Sequence, residues 1–275
     1  MPKRLVVAGI LVSLSVSLAA PAAAQSIEYI DPAGGFTQVV TATAGGVTTV
    51  HVSGQVGEGG GLAMQSASLW QRIAQRLEEA GGSFSDLVKT TTYIVDLDPA
   101  TFFALYQDGV PPAVWNLDDH AASTVIGVPS LANDRFVVEV DAVAVMGVGG
   151  QSVAREFIDP TRSFSQAVTT RGSGPKTVYV SGQVGRPGDA FAEQADQAYA
   201  NLKQRLEAAG ATVADLLKVT VYIPGYGEDN LRALGAVRQK HGFTDGSAPA
   251  STLLGIQSLY ASEAAIEVEG VAVVR

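Results

Sequence analysis

Two glutamates at equivalent positions are the residues of this chain with the clearest chemical capacity. Glu139 and Glu267 lie 128 residues apart, each in a segment where apolar and polar residues partly alternate, as in a strand with one buried face. A carboxylate in a partly apolar cleft has a raised pKa and can act as a general base or hold a water molecule. The alternative is an ordinary carboxylate on a strand surface, and the residues alone leave both interpretations open.

Two serines are equivalent in the same way. Ser123 and Ser251 each begin another β-rich segment, and their hydroxyls can donate hydrogen bonds to a ligand. A role as nucleophile is disfavoured, because no histidine is placed equivalently in both copies to activate them. The chain has no cysteine, and its three histidines lack metal-ligand spacing. The sequence therefore predicts no metal site and implies no cofactor.

These pairs belong to a repeat that spans the chain. Val52–Gly57 recurs as Val180–Gly185 at the same shift of 128 residues. A repeat this long is a whole domain, since solenoid units run to about 20–50 residues. The sequence predicts a first domain over residues 26–146, a linker over residues 147–152 and a second domain over residues 153–275.

Hydrophobic patterning predicts the same order of elements, β-β-α-β-α-β-β, in each copy. In the first copy Phe36–Thr43 and Val47–Gln55 are strand-like segments around a glycine turn, and Leu87–Val95 is another. A helix that stops at Gly81-Gly82 lies between them, and a shorter helix is expected near residues 100–107. We expect an α+β fold with helices on one face of a mixed sheet. The open face then needs a partner, which predicts association between copies, chains or both.

Residues 1–24 have the composition of a secretory signal peptide. Lys3 and Arg4 precede an uncharged apolar run, and Ala22-Ala23-Ala24 suits a cleavage site. An uncleaved anchor is the alternative, although the run is short for a span of about 20 residues. We expect a secreted or periplasmic protein with no stable membrane insertion after cleavage.

The chain is acidic. With 27 acidic and 18 basic residues, it repels the phosphate backbone, so nucleic-acid binding is disfavoured.

Several segments resemble the RidA/YjgF/YER057c/UK114 family. They are the two Ser-Gly-Gln strand ends, the helix end Leu206–Gly210, the strand-like Asp215–Tyr222, the segment Pro249–Thr252 and the final Ile266–Val273. The resemblance covers residues 26–275 as two tandem domains. It implies a chorismate-mutase-like α+β fold and trimers with ligand clefts between neighbouring domains. It also implies hydrolysis of reactive enamines and imines to keto acids and ammonia.

The resemblance also implies roles for individual residues. Glu139 and Glu267 would position the attacking water. The substrate-binding positions would be Phe36, Ser53, Gly54 and Ser123, with Phe164, Ser181, Gly182 and Ser251 as their counterparts. In the active deaminases an arginine that grips the substrate carboxylate occupies the position of Ser123 and Ser251, and an aromatic hydroxyl occupies that of Phe36 and Phe164.

Loss of the arginine in both copies favours a neutral or amide-bearing ligand. A charge-assisted hydrogen bond contributes about 1.5–3 kcal/mol, so its loss costs carboxylate binding about one to two decades. The sequence therefore predicts an exported homo-oligomer with trimer-like domain packing and small-molecule clefts at its domain interfaces. Its activity would be hydrolysis of imines, enamines or a related neutral substrate. The alternative is a non-catalytic metabolite binder or an oligomeric scaffold, while the acidic charge and predicted export disfavour a ribonuclease.

Overall fold

The computed structural model describes residues 25–105, 119–243, 246 and 248–275. The first repeat contains β1 (Ser26–Ala33), β2 (Phe36–Ala44), β3 (Val47–Val56), α1 (Leu62–Glu79), β4 (Leu87–Val95), α2 (Pro99–Ala104), β5 (Ala122–Val128) and β6 (Val138–Gly147). The second contains β7 (Ala154–Pro160), β8 (Ser165–Arg171), β9 (Lys176–Val184), α3 (Phe191–Ala208), β10 (Leu216–Pro224), α4 (Glu228–Lys240), β11 (Ala250–Ile256), β12 (Ser258–Leu259) and β13 (Glu267–Val274). The predicted signal peptide and residue 107, at the expected end of the short helix, lie outside the described residues.

The predicted α+β class is confirmed, but each repeat begins with a strand that the predicted order lacks. Strand β1 pairs antiparallel with β2, and β7 pairs in the same way with β8. Most of β1 is exposed, including Ile27 and Tyr29. Ile27 and Tyr29 alternate with polar residues in β1, but the run is short and ends at Asp31-Pro32, a pair typical of turns.

All strands join one mixed sheet in which the two repeats are neighbours. The order is β1-β2-β3-β6-β4-β5-β8-β9-β13-β10-β11, with β12 beside β5 and β7 beside β8. Only β4–β5, β10–β11 and the junction β5–β8 are parallel. The junction is a single pairing of Ala122 with Ser165. The expected association between copies thus occurs within the chain.

Each long helix covers the sheet of its own repeat. Leu69, Ile73 and Leu77 recur every four residues along α1 and are fully buried, as expected for the core-facing stripe of a helix. The chain then turns at Gly81, whose φ of 82° favours glycine. Within the described part of the chain, no helix is long and apolar enough to cross a membrane.

A separate cluster of buried apolar residues lies on the faces of the sheet that the helices leave open. Val88, Ala122 and Val145 of the first repeat pack there with Val168 and Tyr179 of the second. Burial of these side chains stabilises the contact between the repeats, because apolar surface removed from water contributes about 25 cal/mol per Å². The inter-repeat contact therefore extends beyond the strand pairings β5–β8 and β5–β12.

Candidate ligand cleft between the repeats

A cleft of about 410 Å³ lies where the two repeats meet. The first repeat contributes residues from α2 and β5, and the second contributes residues from β8, β9, α3, β13 and the segment after β12. The lining residues are Phe102, Phe103, Ser123, Val125, Phe164, Gln166, Gly182, Gln183, Val184, Asn201, Arg205, Tyr260 and Glu267. Neither repeat alone supplies all the walls.

Strand β5 is tied to the second repeat beside this cleft. The Ser123 N–H donates to Ser181 Oγ at 2.7 Å, and the Ser181 hydroxyl donates to the Ser165 carbonyl at 2.6 Å. Ser181 is fully buried and is not among the residues that line the cleft. The Ser181 hydroxyl therefore fixes the backbone of Ser123 at the start of β5.

The carboxyl of Glu267 lies directly over Gly182. A Cβ added at Gly182 would stand 1.5 Å from Glu267 Oε1, and one added at Gly54 would stand 1.8 Å from Glu139 Oε1. Such close approach excludes every residue with a side chain unless the carboxylate moves. The glycine of each Ser-Gly-Gln strand end thus makes room for the glutamate of the last strand in the same repeat.

Glu267 is buried at the cleft and incompletely hydrogen-bonded. Only 4% of the residue is exposed, and its Oε2 has no hydrogen-bond partner among the described residues. Burial, with a further contribution from the charge of Glu269, raises the pKa of Glu267 to about 8, although Lys89 opposes the shift. The carboxyl is therefore mainly protonated at neutral pH and can donate a proton to a ligand.

Next to Glu267, an ion pair crosses from one repeat to the other. Lys89 Nζ of the first repeat lies 2.7 Å from Glu269 Oε2 of the second. The Thr124 hydroxyl donates to the same carboxylate at 2.6 Å, and the Tyr222 hydroxyl donates to Oε1 at 2.9 Å. Burial would raise the pKa of Glu269, but the charge of Lys89 and these hydrogen bonds outweigh it and lower the pKa.

The two carboxyls of β13 are thus in opposite states at neutral pH. Glu269 is ionised and paired, while Glu267, two residues earlier on the same side of the strand, retains its proton. Adjacent carboxyls with pKa values pushed apart are a common basis for acid–base chemistry. The cleft therefore holds a proton donor whose protonation follows from burial and from the neighbouring charge of Glu269, against the opposing charge of Lys89.

The first repeat has the same pair of positions in a different environment. Glu139 is half-buried, and burial followed by the charge of Asp141 raises its pKa. Asp141 accepts a hydrogen bond from the Tyr93 hydroxyl at 2.9 Å. Burial raises the pKa of Asp141, and it forms no salt bridge with any residue that the structure describes.

The structure brings together four of the ten predicted site residues. Ser123, Phe164, Gly182 and Glu267 line the cleft, whereas Phe36, Ser53, Gly54, Glu139, Ser181 and Ser251 do not. Ser53 donates to the Thr37 carbonyl at 2.7 Å. Ser251 accepts a hydrogen bond from Arg238 Nη2 at 2.9 Å. The binding and catalytic roles of all ten residues stay predictions.

Three aromatic residues of the cleft were missed by the sequence analysis. Phe102 and Phe103 lie on α2, and Tyr260 follows β12. The positions of the second repeat that match the phenylalanines are Leu231 and Arg232, so comparison of the two repeats was the signal that could have singled them out. Their convergence with Tyr260, about 160 residues away, depends on the inter-repeat contact.

Comparison with protein families assigns the chain. A family model described as endoribonuclease L-PSP matches residues 26–146 and 155–274. The chain belongs to the RidA/YjgF family. It is a tandem member, since both repeats match the same family model, and the family predicted from the Ser-Gly-Gln strand ends and the last strands is confirmed.

Individual relatives of this RidA/YjgF protein cover one repeat or most of the chain. A 2-iminobutanoate/2-iminopropanoate deaminase of Dermatophagoides farinae is 30% identical over 122 residues, which are 42% of this chain and 88% of the deaminase. A chorismatase structure has 19% identity and a TM-score of 0.57 over 86% of this chain and 77% of its own, and shows likeness of fold. A YjgF/YER057c/UK114 member of Mycobacterium tuberculosis is 26% identical over 44% of this chain and 100% of its own, with a TM-score of 0.38.

The cleft contains no metal-like cluster of side chains. Among the described residues, no group of three or more histidines, cysteines, aspartates and glutamates has the geometry to hold a metal ion. The residues of the cleft that bear polar atoms are suited instead to hydrogen bonding and proton transfer. Glu267, which lines the cleft and has a raised pKa, is suited to acid–base chemistry.

Proposed function

We propose that the cleft between the repeats hydrolyses imines or enamines of an uncharged substrate. The observation that carries this proposal is the buried Glu267 carboxyl, whose Oε2 lacks a hydrogen-bond partner among the described residues while the residue lines an open cleft. An unpartnered buried polar atom is costly for folding, and a ligand that pairs with it offsets that cost. The matching deaminase of Dermatophagoides farinae supports the reaction class.

Glu267 acts first as an acid. With a pKa of about 8 it carries a proton at neutral pH and donates it to an imine nitrogen or to the β-carbon of an enamine, which makes the C=N carbon electrophilic. The resulting carboxylate accepts a proton from the water that attacks this carbon. The carbinolamine then transfers a proton to nitrogen and collapses, which breaks the C–N bond, forms the carbonyl and releases ammonia.

Charge in the cleft supports an uncharged substrate. Ser123 occupies the position at which the resemblance predicted an arginine. Arg205 lines the cleft, and its charge is balanced by an ion pair between Nη1 and Asp159, although its buried Nε has no hydrogen-bond partner among the described residues. A substrate carboxylate would thus lose water without gaining an unpaired cation, which is unfavourable.

A non-catalytic metabolite binder is the second candidate function. It is favoured by Phe164, which lines the cleft where the resemblance predicted an aromatic hydroxyl, so one polar contact to a reacting substrate is replaced by an apolar one. In this alternative Glu267 donates a hydrogen bond to a bound ligand and no bond is broken.

The same proposal includes export and assembly. Residues 1–24 would direct the chain to the periplasm or out of the cell and be removed. Homo-oligomerisation with trimer-like domain packing is supported by one face of the second repeat. This face is equivalent to the face through which the first repeat contacts the second. There Lys218, the counterpart of Lys89, is exposed and donates a hydrogen bond to the Thr252 hydroxyl at 2.8 Å. Leu254 of β11 is also exposed.

Ammonia release from a panel of neutral imines and enamines tests the function, with 2-iminopropanoate as the charged comparison. We expect turnover of neutral compounds to fall by about 10²–10⁴-fold in Glu267→Gln, the range for loss of a general acid. Glu139→Gln, at the matched position outside the cleft, serves as control and should change turnover less than about twofold. Unchanged turnover in Glu267→Gln would exclude the acid role. No turnover of any compound, with a ligand that raises Tm, would establish the binder instead.

A further inference from the structure

Aromatic side chains from both repeats form a continuous wall in the cleft. The rings of Phe102 and Phe103 have centroids 5.7 Å apart in an edge-to-face arrangement. Those of Phe102 and Tyr260 are 5.6 Å apart and tilted by 46°. Phe164 lines the same cleft. Centroid separations of 4.5–7 Å are those of interacting rings, so a further ring can join the group.

Phe102 packs against the core of the first repeat, but the second repeat folds without an equivalent aromatic pair. The counterparts of Phe102 and Phe103 on α4 are Leu231 and Arg232, and Arg232 forms a surface ion pair with Asp229. Phe103 is 61% exposed, so its ring adds little to the core. An exposed aromatic residue at the rim of an apolar cleft is a feature of ligand-binding surfaces.

Most polar groups of the cleft already have protein partners. Gln183 Nε2 donates to Gln166 Oε1 at 2.9 Å, and Asn201 Nδ2 donates to the Val184 carbonyl at 2.9 Å. Glu267 Oε2 is the buried side-chain oxygen of the cleft without a partner among the described residues. Arg205 Nε, also in the cleft, is likewise buried and without a partner among the described residues, so a ligand is offered two polar anchors and a broad aromatic surface.

The volume of the cleft also suits a ligand that is large enough to cover the aromatic surface. Its volume of about 410 Å³ lies within the range of about 300–1,000 Å³ of clefts that enclose drug-sized ligands. An imino acid of three or four carbon atoms would leave the aromatic surface in contact with water. A ligand that carries a ring would cover it.

We propose that the cleft selects an uncharged substrate with an aromatic ring, which packs on Phe102, Phe103 and Tyr260 while its C=N or amide group meets Glu267. This inference relies on the proposed function for the position of the reacting group and adds the substrate class. The three aromatic residues are specificity-determining residues. Because α2 and Tyr260 come from different repeats, selection of the ring depends on both.

Calorimetric titration with two neutral amides tests the inference without any need for turnover. We expect benzamide to bind at least about tenfold more tightly than acetamide. Benzoate, which has the same ring and a negative charge, should bind at least about tenfold more weakly than benzamide. Phe103→Ala, whose side chain is exposed and whose loss should leave the fold intact, should reduce the preference for benzamide over acetamide at least about threefold.

Leu231→Ala is the matched control, since Leu231 occupies the position of Phe102 in the second repeat and is itself 50% exposed. It should leave both affinities unchanged. Tyr260→Leu supplies a second variant, from the other wall. Equal affinity for the two amides, absence of benzamide binding, or a ring preference unaffected by both Phe103→Ala and Tyr260→Leu overturns the inference.

These results separate the substrate class from the proposed reaction. If small neutral imines are hydrolysed in a Glu267-dependent manner but benzamide shows no advantage, the reaction stands and the aromatic preference is wrong. If benzamide binds with the expected preference and Glu267→Gln leaves turnover unchanged, the aromatic site stands and the acid role is wrong.

Discussion

Glu139 and Glu267 occupy equivalent positions, each over the glycine of its own Ser-Gly-Gln strand end, yet their surroundings differ. Glu267 is almost completely buried because the first repeat covers the second there, and Glu139 is only half-buried. Their neighbours differ likewise, since Glu269 is paired with Lys89 whereas Asp141 has hydrogen bonds with Tyr93 and Thr91 and, within the described chain, forms no salt bridge. The same local sequence thus yields two electrostatic environments, because only one of them is completed by a neighbouring domain.

Among the changes that would distinguish the two environments, removal of the inter-repeat ion pair should have the largest effect on stability. Lys89→Met leaves Glu269 charged and buried without its partner, so the free energy of unfolding should fall by about 3–5 kcal/mol. Lys218→Met is the matched control, and since Lys218 is exposed its effect should stay within about 0.5 kcal/mol. Urea denaturation of both variants measures the difference. Similar losses in the two variants would show that the burial of Glu269 does not distinguish the repeats.

The pH dependence of stability should differ between the two glutamates. In the folded chain the pKa of Glu267 is about 8, above its usual 4.5, so the unfolded chain loses this proton first as pH rises. The stability contributed by protonated Glu267 is present below about pH 4.5 and is lost progressively up to about pH 8, by at most about 1.36 kcal/mol per pH unit.

Glu267→Gln removes this dependence. Relative to the unmodified chain, the variant should therefore gain stability as pH rises from 5 to 8. Glu139→Gln should show the same sign with a smaller change, because Glu139 is only half-buried. Thermal or urea unfolding at pH 5, 6, 7 and 8 measures both. A difference between Glu267→Gln and the unmodified chain that does not vary with pH would contradict the protonated state of Glu267.

The smallest of the three effects is expected at the glycines beneath the carboxyls. Gly182→Ala places a Cβ where Glu267 Oε1 now lies, and overpacking of a buried site costs about 1–3 kcal/mol. Gly54→Ala creates the same clash with Glu139, which can turn toward solvent, so the cost should be smaller. A double-mutant cycle with Glu267→Ala should recover most of the loss. Additive effects of Gly182→Ala and Glu267→Ala would argue against steric coupling between the two positions.

Many features of the fold and some of the site were predictable because they depend on local pattern. Strand β4 covers the predicted range Leu87–Val95, where β-rich residues occur in an unbroken run. The glutamate and glycine that meet in the cleft were identified because both repeats contain them. Strands β1 and β7 were not predicted, since each has a short apolar run that ends in an Asp-Pro pair typical of turns.

The aromatic wall lay beyond sequence reasoning for a different reason. Phe102 and Phe103 form an aromatic pair on a short helix, and such a pair more often packs in a core. Phe102 does pack against the core of the first repeat, but its contact with Tyr260 arises only where the two repeats adjoin. No periodicity in the chain encodes a contact between residues so distant in sequence.

The sequence by itself determined the family, the doubled α+β domain, and the candidate glycine and glutamate of each repeat. These follow from short-range patterns and from comparison of the repeats. Only the tertiary structure decided which glutamate is buried, which carboxyl meets a lysine and which repeat contributes aromatic rings to the cleft. The physical reason is that burial and charge pairing depend on what covers a strand. In this protein the first repeat, through strand β5, covers part of the second repeat. The counterpart of β5 in the second repeat is β11, and most of β11 is exposed.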